Sequence, residues 1–106
     1  MSVAARYKLS PHAEEDFATL LYSIAEHSGW SRSMDVEESL YAAFNSLARN
    51  PGIGHLRDDL LPRTIHFYFA DPYMVLYLRD TEPLYVVAIV HGAQDIPALM
   101  QHRLET

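Results

Sequence analysis

Four residues in the second half of the chain are of types that hold and move charge: Arg57, Arg63, Arg79 and His91. Arginine's planar fork binds carboxylates and phosphates better than a mobile ammonium does, and the chain contains a single lysine, Lys8. The imidazole of His91 is of a type that can transfer a proton. These residues could steady a phosphate or contact a macromolecular target. Structural roles are equally open to them, as partners of nearby acids and as the anchor of a turn.

The other polar clusters carry weaker signals. Asp58 and Asp59 beside Arg57 resemble a two-carboxylate site, but adjacent residues of an extended chain point apart, and a solvated loop with a local ion pair is the simpler interpretation. Asp95 before Ile96-Pro97 fits a turn or cap residue. The six histidines show no metal-ligand spacing, and no serine has the glycine context of a nucleophile elbow. The sequence predicts no metal site and no cofactor.

Composition narrows the class of protein. With 106 residues, the chain can bury one core, so we expect a single domain spanning residues 1–106. It has no cysteine, no leader pattern and no apolar run of membrane-spanning length, which predicts a cytoplasmic protein. Eight basic and fourteen acidic residues give a net charge of -6, which opposes general attraction to nucleic acid.

The first half of the chain predicts a short strand followed by two helices. Residues 5–9 alternate weakly, and Ser10-Pro11 is a good helix start because serine caps free amides and proline suits the first turn. Ser28-Gly29 ends this helix. Ser31 or Ser33 can cap the second helix, which Asn50-Pro51-Gly52 stops. Two helices with so short a link should form an antiparallel hairpin. Trp30, in the turn, could pack across the hairpin or be exposed as a partner anchor.

The second half predicts a loop over residues 51–63 and then three strands over residues 65–69, 73–78 and 84–90, separated by turns. The continuously apolar third strand should lie centrally in the sheet. We therefore expect an α+β fold in which the hairpin covers one face of a three-stranded antiparallel meander, with the N-terminal strand added to the sheet. The other face, without a second helical layer, would expose aromatic residues to a partner.

Several segments together resemble the ParE branch of the RelE/ParE toxin superfamily. The opening Tyr7-Lys8-Leu9-Ser10 with Ala13-Glu14 is similar to the family's first strand and helix cap. The segment over residues 22–27 is similar to the end of its first helix. Residues 47–54, ending in Asn50-Pro51-Gly52-Ile53-Gly54, resemble its link from second helix to loop, and residues 91–99 resemble its end. The order and spacing of these segments across nearly the whole chain carry the resemblance.

The resemblance implies the toxin of a type II toxin-antitoxin pair, which inhibits DNA gyrase by binding it while DNA is cut and not by catalysis. Arg57, Arg63, Arg79 and His91 would then contact the target. It also implies a hetero-oligomer with a ParD-like antitoxin, whose C-terminal helical segment would bury an apolar face in a groove of the toxin. The lining expected for that groove is Leu21, Ile24, Phe67 and Tyr73. No membrane and no sequence-specific nucleic acid are expected as partners.

Two alternatives stay open. The nuclease branch of the superfamily cuts messenger RNA on the ribosome, which needs a base, cations at the phosphate and an acid, and Arg63, Arg79 and His91 could converge to supply them. The acidic charge, the single lysine and the residues Gly92-Ala93 in place of a catalytic aromatic residue fit ParE better. The second alternative is a domain that keeps the fold and binds the antitoxin but is not toxic.

Overall fold

The structure, a computed structural model, describes residues 6–56, 65–70, 72–91 and 96–104. These residues form three α-helices and five strands. In chain order the elements are β1 (Tyr7–Leu9), α1 (Pro11–Ser28), α2 (Trp30–Arg49), a 3-10 turn (Pro51–Ile53), β2 (His55–Leu56), β3 (Ile65–Ala70), β4 (Tyr73–Leu78), β5 (Leu84–His91) and α3 (Ile96–Leu104).

Helix α1 begins as predicted at Ser10 and Pro11. The Ser10 hydroxyl accepts a hydrogen bond from the Ala13 amide at 3.0 Å and donates one to the Val87 carbonyl at 3.2 Å. The Ser10 amide donates to the carbonyl of Val86 at 2.8 Å. A side-chain cap of this kind stabilises a helix by about 1 kcal/mol. Here the same residue also fixes the start of α1 to β5.

The predicted antiparallel hairpin is present, but its turn is tighter than expected. Gly29 alone joins the two helices, with a φ of 92° that glycine adopts without steric cost. The prediction that Ser31 or Ser33 caps α2 is therefore wrong, since α2 begins at Trp30. Ser33 is instead buried, and its hydroxyl donates to the Leu21 carbonyl across the hairpin at 2.7 Å.

The sheet has the strand order β1-β5-β4-β3-β2. Strands β3, β4 and β5 form the predicted antiparallel meander, and β1 joins it parallel to β5. β5 thus lies between two neighbours, as its apolar sequence indicates. One element differs from the prediction: β2 lies in the segment expected to be a loop, where His55 pairs with Phe67 and Leu56 pairs with His66.

The two faces of the sheet bury separate cores. The hairpin packs on one face, where Phe17, Leu40, Phe44 and Tyr77 are buried together. The opposite face was expected to lack a helical layer, and this is wrong because α3 packs there. Its residues Ile96 and Met100 are buried against Ile65, Leu76, Ala88 and Val90. Alternation along β3 places Phe69 on the same face as α3. Because α3 is short, Phe69 remains half exposed there.

Candidate functional site

Arg79 lies just after β4, beside the turn that follows α2. A Cβ atom added to Gly52 would be 3.6 Å from Nη2 of Arg79, so the guanidinium lies against that turn. The turn is held by Tyr77, two residues earlier on β4, whose hydroxyl donates to the Pro51 carbonyl at 2.6 Å. The segment over residues 50–54 therefore packs around the end of the Tyr77 ring. Arg79 lies beside this segment and is exposed at this end of the sheet.

The phenol of Tyr77 is completely buried. Burial raises the pKa of Tyr77 above its ordinary value of 10.0, while a hydrogen bond from the Gly54 backbone and the charge of Arg79 act in the opposite direction. The folded protein thus keeps this proton at pH values where the unfolded chain releases it. Stability from this group is complete below about pH 10 and is lost as the pH rises through the folded-state pKa.

Replacing Tyr77 by Phe keeps the buried ring but removes the hydroxyl that links β4 to the Pro51 carbonyl. We expect the free energy of unfolding to fall by about 1–2 kcal/mol, the effect of leaving a partly buried carbonyl without its donor. The loss of stability above pH 10 should also become shallower. Urea unfolding at pH 7 and pH 10.5 measures both effects, with the exposed Tyr22→Phe as control. If the free energy of unfolding fell equally with pH in the wild type and in Tyr77→Phe, the raised pKa of Tyr77 would be contradicted.

His91 ends β5 at the opposite end of the sheet. It pairs with Tyr73, and the two rings meet edge to face with centroids 5.9 Å apart. Both residues line an open groove of about 400 Å³ between α1 and the sheet, together with Leu20 and Ile89. His91 is exposed at this end of the sheet.

Arg79 and His91 do not meet. In the β4–β5 register Tyr73 pairs with His91 and Leu78 pairs with Tyr85, so Arg79 lies one strand length from His91. Five residues of strand span about 17 Å. The structure therefore does not bring these two residues together, as the nuclease alternative would need. Arg57 and Arg63, the other predicted target contacts, lie outside the described residues, and the roles of all four stay predictions.

The four residues expected to line one antitoxin groove lie on two faces of the sheet. Leu21, Ile24 and Tyr73 are partly buried and pack against the core beneath the hairpin. Phe67 packs against the core beneath α3. Alternation along β3 explains the difference, because Phe67 pairs with Leu76 while its neighbour Tyr68 points to the hairpin. A single groove lined by all four is thus wrong.

Two kinds of site find no support in the described part of the chain. Its His, Asp and Glu residues form no group of three or more that could hold a metal ion. None of its helices has the length and hydropathy of a bilayer-spanning segment.

The sequence matches the family described as the ParE toxin of the type II toxin-antitoxin system parDE over residues 7–96. This chain belongs to the ParE toxin family. The match includes both segments that position Arg79 and His91. A comparison with curated proteins finds no match.

The ParE fold is also found by structural comparison. A chain from the chromosomal ParDE toxin-antitoxin system of P. aeruginosa is similar to this one with a TM-score of 0.70 and 11% sequence identity. The similarity covers 83% of this chain and 96% of the other. At this identity the comparison shows a shared fold, and it does not carry residue roles from one protein to the other.

Sequence reasoning missed two residues that organise this ParE chain. Tyr77 lies in an apolar strand and gave no signal beyond alternation, although it holds the turn beside Arg79. Asp16 is, in the sequence, one of three consecutive acidic residues near the start of α1. Its carboxylate binds the Arg103 guanidinium at 2.7 and 2.8 Å and accepts a hydrogen bond from the Ile89 amide at 3.1 Å. No local pattern links residues so far apart in sequence.

Proposed function

We propose that this ParE-family protein inhibits DNA gyrase by binding it and that a ParD-like antitoxin neutralises it. The observation that carries the proposal is the family match over residues 7–96, together with a fold shared with a member of a ParDE system. The inhibitor would act in the cytoplasm, where its target works on DNA. Exposed side chains at the two ends of the sheet, Arg79 and His91, are the described candidates for target contacts, and Arg57 and Arg63 complete the proposed set.

The geometry supports inhibition by binding over ribosome-dependent RNA cleavage. Cleavage requires a base, an acid and phosphate-binding cations within hydrogen-bond reach of one ribose phosphate. Arg79 and His91, which that alternative requires to act together, are separated by the length of β4. A large protein target can contact both ends of the sheet at once, because a standard interface covers about 800 Å² on each partner.

The antitoxin contact is proposed on the hairpin side of the sheet. Leu21, Ile24 and Tyr73 are partly buried there, so each leaves part of its apolar surface available to a partner. Trp30 at the hairpin turn is 72% exposed, which leaves its partner-anchor interpretation open and removes the one in which it packs across the hairpin. Aromatic residues of this kind are common anchors at protein interfaces.

The deciding experiment measures supercoiling and DNA cleavage by purified gyrase in the presence of the protein, with and without the antitoxin. A parallel reaction measures ribosome-dependent RNA cleavage. We expect inhibited supercoiling, accumulated cleaved DNA and intact RNA, all reversed by the antitoxin. RNA cleavage with unaffected gyrase would transfer the protein to the nuclease branch. Inactivity in both assays with tight antitoxin binding would indicate a non-toxic binding domain.

The target contact of Arg79 can be tested in the same assay. Arg79→Gln removes the charge and the bidentate fork while keeping a side chain of similar length, so we expect about a tenfold higher concentration for half-inhibition of gyrase. Arg32→Gln, an equal change of charge at an exposed position of α2, should leave inhibition unchanged. Equal inhibition by both variants would remove Arg79 from the contact surface.

A further inference from the structure

The outer face of the helical hairpin carries most of the large apolar side chains that are exposed in the described part of the chain. Tyr22 on α1 and Trp30, Met34 and Tyr41 on α2 each have between 43% and 72% of their surface exposed. Only two other large apolar residues of the described chain are exposed. Single exposed apolar residues are ordinary, but a group of them marks a binding surface.

Three of these side chains lie on one side of α2. Trp30 and Met34 are one helical turn apart, and Tyr41 follows Met34 after two turns. Met34 and Tyr41 border an open depression of about 380 Å³. Its lining comes from α2 alone and consists of Ser31, Met34, Asp35, Glu37, Glu38 and Tyr41. This surface is therefore separate from the groove between the hairpin and the sheet.

The fourth side chain lies beside them on α1. The Leu21 carbonyl accepts the hydrogen bond from Ser33 at 2.7 Å, so the backbones of the two helices meet at this point. Tyr22 and Met34 are the next residues along each helix, and both are exposed at the seam between the helices. We call the surface formed by the four exposed side chains the hairpin seam: Tyr22, Trp30, Met34 and Tyr41.

The charge around the hairpin seam is negative. The two helices carry seven acidic residues and two arginines, a formal charge of -5. Asp35, Glu37 and Glu38 line the depression on α2, and no basic residue of the described chain does. Arg32 lies on the other side of α2, where it lines a small pocket with Tyr73, and it is not part of the seam.

This negative charge restricts the partners that fit the hairpin seam. A second copy of the chain would bring the same acidic face and would be repelled, as nucleic acid would be. A protein that holds DNA presents Lys and Arg, because neutralising the phosphates supplies much of its affinity. DNA gyrase is such a protein, so its basic surfaces have the charge that complements the seam.

We propose that the hairpin seam binds a basic surface of DNA gyrase. Trp30 lies against an apolar or cationic side chain of the enzyme, since an exposed indole takes either, and Glu37 and Glu38 pair with its Lys or Arg. This inference rests on the proposed function in that the partner is gyrase. It adds to Arg79 and His91 a contact surface of negative charge and the chemistry of the gyrase surface that it recognises.

The apolar part of the contact is tested with Trp30→Ala against Phe69→Ala. Both variants truncate an aromatic residue that is more than half exposed, but Phe69 lies on the opposite face of the sheet. We expect the concentration for half-inhibition of gyrase supercoiling to rise about tenfold for Trp30→Ala and to stay at the wild-type value for Phe69→Ala. Unimpaired inhibition by Trp30→Ala combined with weaker antitoxin binding would give the seam to the antitoxin and overturn the proposal.

The charge is tested at Glu38, which is exposed beside the seam. Gln and Lys have helix propensities close to that of Glu, so both substitutions keep α2 intact. At 0.1 M NaCl we expect the Kd for gyrase to rise about threefold for Glu38→Gln and about tenfold for Glu38→Lys. The differences should shrink at 0.5 M, because salt screens exposed charges. Equal Kd values for the wild type and both variants would overturn the charge requirement.

Binding of the antitoxin provides the control for folding and separates two kinds of failure. Trp30→Ala and Glu38→Lys should bind the antitoxin with the wild-type Kd. A wild-type protein that binds the antitoxin but neither binds nor inhibits gyrase would overturn the proposed target and the seam contact with it. A wild-type protein that inhibits gyrase, with both variants equally potent, would overturn only the seam contact.

Discussion

Substituting Gly54 by Ala should destabilise the protein by about 3 kcal/mol or more, although its backbone is in an ordinary extended conformation. Gly54 has φ -82° and ψ -178°, which any residue adopts, so the constraint is space. An added Cβ would overlap the Tyr77 hydroxyl and would lie 2.8 Å from the Phe67 carbonyl oxygen and 2.9 Å from Cε1 of Tyr77. Because Tyr77 is buried and Phe67 is held by β3, neither can yield without disturbing the core.

The neighbouring glycine supplies a matched control. A Cβ at Gly52 would meet nothing nearer than 3.6 Å, an ordinary contact distance, so Gly52→Ala should leave the free energy of unfolding within about 1 kcal/mol of the wild type. Urea denaturation of both variants measures the difference. The double variant Gly54→Ala/Tyr77→Phe should recover part of the loss, because it removes the nearest overlapping atom. Similar urea midpoints for Gly54→Ala and Gly52→Ala would contradict the steric account.

The Gly54 contact also has a consequence for the target surface. The same turn carries Gly52, against which the Arg79 guanidinium lies, and Tyr77 fixes that turn through the Pro51 carbonyl. A disturbed turn would displace the exposed arginine that we propose as a contact to gyrase. Loss of inhibition in Gly54→Ala therefore reports on the position of Arg79 only when the variant is still folded.

Local signals in the sequence predicted the elements whose causes are local. Ser10-Pro11 caps a helix through bonds within three residues, and the alternation of β3 and the apolar run of β5 follow from which faces are buried. β2 was missed because two exposed residues show no alternation; only their pairing with β3 makes them a strand. Ser33 was mistaken for a cap because its acceptor, the Leu21 carbonyl, lies on the other helix.

The candidate site was harder to predict because its geometry depends on contacts between segments that are distant in sequence. Alternation indicates that Phe67 and Tyr68 face opposite sides of the sheet, but it does not indicate which side the hairpin covers, since both residues are aromatic. The separation of Arg79 from His91 depends on the β4–β5 register, and that depends on the turn between the strands and on an irregularity near Leu76 and Tyr77. Such long-range constraints are absent from any single segment.

The ion pair between Asp16 and Arg103 is the other feature expected to have a large effect, because it fastens α3 to α1 across the edge of β5. Arg103 donates two hydrogen bonds to the Asp16 carboxylate and one to the Val87 carbonyl at 3.3 Å, while Asp16 accepts from the Ile89 amide. The Arg103 side chain is only 12% exposed and the Asp16 side chain only 18%. The Val87 carbonyl and the Ile89 amide belong to β5 beyond the end of β1. Arg103 and Asp16 therefore bind backbone groups that a neighbouring strand would otherwise pair with.

Replacing Arg103 by Met keeps the aliphatic stem but leaves the carboxylate mostly buried without its cation. Removing one partner of a fully buried pair costs about 3–5 kcal/mol, and the residual exposure here reduces our expectation to about 2–3 kcal/mol. Arg32→Met, at an exposed position of α2, should change stability by less than about 0.5 kcal/mol. Urea denaturation of both variants provides the measurement.

A double-mutant cycle separates the ion pair from the packing of α3. Asp16→Asn can still accept the hydrogen bond from Ile89 but loses the charge, so Asp16→Asn/Arg103→Met should be less destabilised than the sum of the single variants by about 1–2 kcal/mol. Exact additivity would show that the two side chains stabilise the fold independently.

The cycle also bears on deletion of residues 96–106 as a test of toxicity. Such a deletion removes Arg103 together with the buried Ile96 and Met100, so lost inhibition would reflect a damaged fold as much as a missing contact. Arg103→Met leaves the apolar side of α3 in place and is therefore the sharper probe of that helix in the gyrase assay.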